Sequence, residues 1–165
     1  MGYLRKFFGS KLTNALADLR SGAPEVRQDA ARRLGELGGN EAMEALLGAL
    51  GDEDRGTQAC AAQALGNIGG QRALEALRRI VTNEGAGGWD MALLALAKHR
   101  DKTVLAPAIR VLSDRRKEWY VRMIAARALG DLGDHEAIGT LRDAAADANA
   151  SVRAQAVTSL EELSR

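Results

Sequence analysis

A ten-residue pattern that returns along the chain constrains the fold more than any other feature. The segment Val26–Gly35 returns as Val121–Gly130, and weaker copies begin at Thr57, Gly88 and Val152. One leucine of the pattern recurs at steps of 31, 31, 33 and 31 residues, at Leu34, Leu65, Leu96, Leu129 and Leu160. Self-similarity with such a period is typical of solenoids, in which each repeat packs only on its neighbours.

Each repeat predicts two helices. In the first repeat these are Val26 to Leu37, which ends at Gly38-Gly39, and Ala42 to Leu50. Glycine after a helix supplies the left-handed conformation that closes it. The helical spacing predicts one buried face on the first helix, formed by Val26, Ala30, Ala31 and Leu34. Nothing in the sequence indicates a strand.

The predicted fold class is therefore all-α, a right-handed α-solenoid of about four two-helix repeats with half-repeat caps at each end. We predict a single domain over residues 1–165. Within it, residues 1–25 form an N-terminal cap helix, residues 26–151 form four repeats, and residues 152–165 form a C-terminal half-repeat. Terminal units of a solenoid differ from the others because one face has no neighbour.

The repeat in the second half of the chain gives the clearest pattern, in Val121–Asp134 followed by Ala137–Leu141. It resembles the short HEAT-like repeats named after phycobilisome lyases, whose signature is approximately V-R-x-x-A-A-x-A-L-G-x-[LI]-G-[DG] and then A-[LIM]-x-x-L. The third repeat departs most, because Gly88-Trp89 replaces the Val-Arg pair. The resemblance implies stacked helix pairs and a concave surface lined by the first helix of each repeat.

Composition excludes several classes of protein. A single cysteine cannot crosslink the fold, so an oxidising compartment is not indicated. We see no secretory signal and no apolar run near the ~18 residues of a membrane span, so we expect a cytoplasmic protein. Only two histidines are present, His99 and His135, and no Gly-rich phosphate loop precedes a helix. We therefore expect no enzyme activity, no cofactor and no metal.

Charge is unevenly distributed although the net charge is only +1. Residues 72–127 carry twelve basic and six acidic side chains, whereas residues 13–71 and 128–165 each carry a net charge of −4. The sequence thus predicts a central basic band between acidic ends.

The first helices of repeats three and four carry apolar residues at positions that helix geometry turns away from the core. An exposed apolar patch with aromatic and arginine side chains is typical of an interaction site. We predict a groove with an apolar floor and a basic rim that binds an acidic or amphipathic helix or peptide. Its predicted residues are Trp89, Met91, Leu94, Trp119, Tyr120, Met123, Ile124, Arg127, Arg115 and Arg116.

One alternative concerns the two tryptophans of the groove, and a separate expectation concerns the arginines of the Val-Arg pairs. A degenerate repeat can instead bury Trp89 and Trp119 between helices as ordinary core. The arginines of the Val-Arg pairs, Arg27, Arg122 and Arg153, are expected to pair with acidic residues in the turns of an adjacent repeat rather than to bind a partner.

The N-terminal segment, residues 1–12, places Leu4, Phe7, Phe8 and Leu12 on one helical face opposite basic side chains. A basic amphipathic helix can lie in a membrane interface. We favour a helix that caps the first repeat, because the segment is short and a solenoid needs a cap.

The favoured function is a non-catalytic scaffold or adaptor that binds a protein or peptide. One alternative is a bilin-lyase-like or chaperone subunit, which the repeat name suggests. Another is nucleic-acid binding through the basic band, which the low net charge makes less favourable. Self-association through the apolar patch remains open.

Overall fold

A computed structural model of the chain describes the backbone of residues 2–164 and the side chains of residues 10–164. Within that range it is all-α, as the repeat predicts. The ten α-helices of the described residues are α1 Gly2–Asp18, α2 Pro24–Leu37, α3 Gly39–Ala49, α4 Arg55–Ile68, α5 Gln71–Val81, α6 Trp89–Lys98, α7 Leu105–Ser113, α8 Trp119–Leu132, α9 Ile138–Ala144 and α10 Ala150–Leu163. Short 3-10 turns at Lys102–Val104 and His135–Ala137 precede α7 and α9.

The helices form two compact units, residues 1–92 and residues 93–165. In the first unit α2 packs along α4, and α3 packs against both of them. In the second unit α8 packs along α10, and α9 lies against α7, α8 and α10. First helices therefore stack on first helices within each unit, with second helices beside them.

Local signals explain where the helices begin and end. The Asp54 carboxylate accepts a hydrogen bond from the Thr57 N–H at 2.7 Å and caps the start of α4. Asn149 caps α10 in the same way. Gly38, Gly69 and Gly133 end α2, α4 and α8 at φ values of 64°, 67° and 71°, which glycine adopts without steric cost.

The core is built from alanine and leucine at repeated positions. Ala30, Ala31 and Leu34 are fully buried in α2, and their counterparts in α4 and α8 are equally buried. Small alanine side chains let the first helices approach closely, because no large side chain holds them apart.

The predicted burial of Val26 is wrong. Val26 is 38% exposed, while its neighbour Arg27 is only 6% exposed. The equivalent positions Thr57 and Val152 are fully buried, and their helices pack on an earlier first helix. Among the described residues no first helix precedes α2, so Val26 lacks the neighbour that would cover it.

Candidate binding surface on the eighth helix

Two aromatic side chains stand exposed at the start of α8. Trp119 is 45% exposed and Tyr120 is 49% exposed. Their rings meet edge to face, with centroids 6.1 Å apart and planes at 88°, which is a favourable geometry for aromatic pairs. Such side chains usually bury most of their area, so their exposure here makes the start of α8 a candidate binding surface.

The aromatic pair continues along α8 as an apolar stripe. Met123 and Ile124 follow Trp119 and Tyr120 by four residues each, so the four side chains lie along one side of the helix. Met123 and Ile124 are half-buried. We call Trp119, Tyr120, Met123 and Ile124 the α8 stripe.

The predicted basic rim is largely paired with carboxylates. Arg115 Nη1 lies 2.7 Å from Asp147 Oδ2, and Arg116 Nε lies 2.9 Å from Asp114 Oδ1. Arg127, further along α8, lies 3.8 Å from Asp131. The rim therefore presents arginines whose positive charge is partly neutralised, which weakens its pull on an acidic partner.

Asp114 is the first residue of the loop between α7 and α8, and its carboxylate binds a later residue of the same loop. Its carboxylate accepts hydrogen bonds from the side chain of Arg116 and from the Arg116 backbone N–H. These bonds and the neighbouring cations lower the pKa of Asp114 to about 2. The loop that precedes the aromatic pair is thus held by its own residues.

Two of the Val-Arg arginines pair with acidic turn residues, as expected, but the turn is the one that ends their own repeat and not one of an adjacent repeat. Arg27 Nε and Nη2 donate to Asp52 at 2.9 and 2.8 Å. Arg122 binds Asp147 in the same forked manner at 3.1 and 2.8 Å. Both carboxylates follow their arginine by 25 residues.

The third arginine departs from this expectation. Arg153 Nη1 donates to the backbone carbonyls of Asp147 and Ala148 at 2.8 and 2.9 Å. It therefore binds the preceding turn through main-chain oxygens rather than through a carboxylate side chain.

The prediction that Trp89 is an exposed binding residue is wrong, and the alternative of burial holds. Trp89 is 5% exposed, and its indole Nε1–H donates to the Val81 carbonyl at 3.1 Å. Trp89 stands where other repeats have the arginine of the Val-Arg pair, and Arg27 likewise donates to a carbonyl of the preceding turn, that of Ser21. The indole thus replaces one bond of that arginine and adds apolar volume.

The other predicted residues fall in different units. Met91 is half-buried in the first unit and Leu94 is half-buried in the second. Their part in partner binding stays a prediction.

Two further cations of the basic band are also paired with carboxylates. Lys102 Nζ lies 3.0 Å from Asp134, which raises the pKa of Lys102 through a hydrogen bond to that carboxylate. Arg72 contacts Glu44. These pairs leave fewer cations free to bind phosphates. Nucleic-acid binding is therefore less favoured, because it depends on contacts between cations and phosphates.

Sequence reasoning missed Asp147 as an individual residue. Asp147 is only 2% exposed and binds both Arg115 and Arg122. Burial alone would raise the pKa of Asp147, but the hydrogen bonds from Arg122 and the Asn149 N–H hold it below its ordinary value. The repeated 25-residue interval from arginine to aspartate was the signal that could have singled it out.

The alternatives for residues 1–12 fall mostly on side chains that the structure does not describe, those of residues 1–9. The part of the chain that is described contains no helix both long and apolar enough to cross a bilayer. Over the same part, no group of three or more His, Cys, Asp or Glu side chains could hold a metal ion.

Comparison with known families identifies the repeat. The family described as HEAT repeats matches residues 10–87 and 90–161, which confirms the resemblance read from the sequence. No curated protein matches the chain significantly.

Solved structures share the fold. A chain from the complex of CpcE and CpcF of phycocyanin lyase from Nostoc sp. PCC7120 is 26% identical, with a TM-score of 0.73 over 90% of this chain. This chain spans 63% of the length of that one. A designed armadillo repeat protein in complex with the peptide (KR)4 is 18% identical with a TM-score of 0.60, over 92% of this chain and 81% of that one. Human deoxyhypusine hydroxylase in complex with glycerol is 18% identical with a TM-score of 0.54, over 93% and 73%.

Proposed function

The chain belongs to the HEAT repeat family, and on that premise we propose that it is a non-catalytic scaffold that binds a protein or peptide partner through the α8 stripe. The observation that carries the proposal is the exposed contact of Trp119 with Tyr120 at the start of α8. Trp and Tyr are over-represented among residues whose removal costs most at interfaces.

The proposed partner presents apolar side chains in a helix or short peptide. An amphipathic helix or peptide can cover a stripe of this kind along one helix. Because Arg115, Arg116 and Arg127 are already paired with carboxylates, they add little to the affinity for an acidic partner. The apolar anchors therefore supply most of the binding free energy.

Membership of the family supports a protein partner in general terms, since HEAT repeats commonly bind proteins. The similar Nostoc chain was solved in a complex of two proteins, CpcE and CpcF. Both observations support a role for this chain in binding another protein. The same proposal includes the absence of enzyme activity.

Selection of random displayed peptides on the purified protein tests this function. Peptides are selected on the wild type alone, and their affinities are then measured for the wild type, Trp119→Ala, Met123→Ala and Val157→Ala. Val157 is a matched control because it is 45% exposed on α10 of the same unit. We expect the two α8 variants to lose roughly 10-fold or more in affinity and the control to bind normally.

Equal affinity of Trp119→Ala and wild type for every selected peptide would contradict the proposal. Light scattering at several concentrations accompanies the selection. A dimer that Trp119→Ala dissociates would identify the partner of the stripe as a second copy of the chain.

A bilin-lyase-like subunit is the second candidate, favoured by the 26% identity to the phycocyanin lyase complex. Because the chain spans only 63% of that protein, the activity does not carry over with the fold. Co-expression with a bilin and apo-phycocyanin tests it. Covalent pigment that appears only when this chain is present would support it, and colourless phycocyanin would count against it.

A further inference from the structure

One buried carboxylate joins the two loops of the second unit that lie beside the start of α8. Asp147 Oδ2 accepts from Arg115 Nη1 at 2.7 Å and from Arg122 Nε at 3.1 Å. Asp147 Oδ1 accepts from Arg122 Nη2 and from the Asn149 N–H, both at 2.8 Å. Every lone-pair direction of this carboxylate is occupied by a donor, so its two arginines are held in fixed places.

Both arginines also bind the backbone, which extends the network to the loop that leads into α8. Arg122 Nη1 donates to the Lys117 carbonyl, two residues before Trp119. Arg115 belongs to that same loop and also donates to the Asp143 carbonyl at 3.3 Å. The segment just before the aromatic pair is therefore tied to Asp147 at two points, once through a side chain and once through its main chain.

We propose that Asp147 is a positioning residue for Trp119 and Tyr120, and that it holds the two exposed rings in one orientation ready for a partner. This inference rests on the proposed function of the α8 stripe. A preorganised aromatic anchor loses less conformational entropy on binding, which raises affinity without adding a contact. In this account Arg115, predicted from the sequence as part of the rim, acts through the loop rather than on the partner.

The first repeat has no exposed aromatic pair, and its equivalent network is smaller. There Asp52 binds Arg27 through the same fork, and Arg27 donates to the Ser21 carbonyl. Among the described residues no second arginine binds Asp52. The positions of Trp119 and Tyr120 are occupied there by Pro24 and Glu25. The additional arginine thus accompanies the exposed aromatic pair.

Fluorine NMR tests the proposal without a partner. The protein has two tryptophans, so incorporation of 5-fluorotryptophan gives two resonances, which Trp119→Phe assigns. We expect Asp147→Asn to shift and broaden the Trp119 resonance while the Trp89 resonance stays in place. Asp52→Asn removes the equivalent fork in the first repeat and should leave the Trp119 resonance unchanged.

A Trp119 resonance identical to that of wild type in folded Asp147→Asn would overturn the proposal. So would an equal displacement of that resonance in Asp52→Asn, since the effect would then be one of general stability. If Asp147→Asn does not fold, Arg115→Gln decides, because it keeps the Arg122 fork and removes only the second tie. A displaced Trp119 resonance in that variant supports the proposal, and an unmoved one overturns it.

Binding of the selected peptides separates this proposal from the function on which it rests. In the wild-type background Asp147→Asn should weaken binding by roughly fivefold, and in the Trp119→Ala background it should cause a smaller further loss, because only Tyr120 remains to be positioned. If no selected peptide depends on Trp119, the proposed function fails while the resonance measurement still reports whether Asp147 positions the ring. Equal additional loss in both backgrounds would contradict a role that acts through Trp119.

Discussion

Arg100 adopts a left-handed backbone conformation, with φ 56°, at the position where other repeats place a glycine. Its Nη1 donates to the Leu132 carbonyl at 2.8 Å. Leu132 is the last residue of α8, so the guanidinium satisfies a carbonyl that the helix leaves unpaired and places a positive charge at its C-terminus. The side chain thus compensates for a backbone conformation that is unfavourable for any residue other than glycine.

Substitutions at Arg100 should separate these two effects. Arg100→Ala keeps the unfavourable backbone and loses the hydrogen bond, whereas Arg100→Gly loses the bond but removes the backbone strain. We expect Arg100→Ala to be less stable than Arg100→Gly by about 1 kcal/mol, measured by urea denaturation. Equal stabilities of the two variants would mean that the φ value carries no cost.

Acid sensitivity follows from the paired carboxylates. The pKa of Asp52 is lowered by its hydrogen bond from Arg27, and that of Asp147 is also lowered. A carboxyl group whose pKa is lowered by folding stabilises the folded protein when the pH is above the pKa of that group in the unfolded chain, near 3.8. This contribution is lost as the pH falls through the lowered pKa of the folded state. We expect the melting temperature to fall below about pH 4 and to keep falling towards pH 2, where Asp114 also titrates.

Thermal melts of two variants across this pH range check the assignment. Asp147→Asn should show a smaller decrease on the acid side than wild type, because the amide at position 147 cannot take up the proton that the Asp147 carboxylate binds. Asp143→Asn, whose side chain is exposed, is the control and should follow the wild-type curve. If the melting temperature of Asp147→Asn falls with pH as steeply as that of the wild type, Asp147 does not contribute to the acid sensitivity.

At the scale of helices, the first unit depends on a close approach of α2 to α4. A Cβ atom added at Gly35 would lie 2.7 Å from the Ala64 Cβ, closer than such atoms come. Gly48, in α3, is the natural comparison because a Cβ there would meet nothing within 4 Å. The two glycines therefore have different roles although both lie within helices.

Alanine at these two positions should have opposite effects. Gly35→Ala forces α2 and α4 apart and should destabilise the fold by roughly 1–3 kcal/mol. Gly48→Ala adds helix propensity without a clash and should stabilise it by up to about 1 kcal/mol. Denaturant unfolding measures both, and a stabilising Gly35→Ala would show that the helix contact is not close-packed.

Helix positions were predictable from the sequence because their signals are local. The predicted first helix, Val26 to Leu37, is observed as Pro24–Leu37, and the glycine after it closes the helix as expected. The sequence did not distinguish the buried tryptophan from the exposed one, because both were predicted to lie at the start of a helix. Their register differs: Trp89 stands at the arginine position and is covered, whereas Trp119 precedes that position by three residues and remains exposed.

The whole molecule shows which properties the repeat controls. Its period predicted stacked helix pairs, and both compact units contain them. The sequence predicted that the Val-Arg arginines bind acidic turn residues, but it did not predict which ones. The choice of carboxylate depends on the three-dimensional path of the loops. The proposed binding surface departs furthest from the repeat, because the α8 stripe consists of residues that the other first helices do not share.

A partner that binds along the α8 stripe should cover Trp119, and tryptophan fluorescence measures whether it does. Emission from Trp119 is obtained as the difference between wild type and Trp119→Phe, while a selected peptide is added to saturation. We expect this emission to shift to shorter wavelength and to be quenched less by acrylamide, because the exposed indole leaves water. Trp119 emission and quenching that stay unchanged at saturation would contradict the claim.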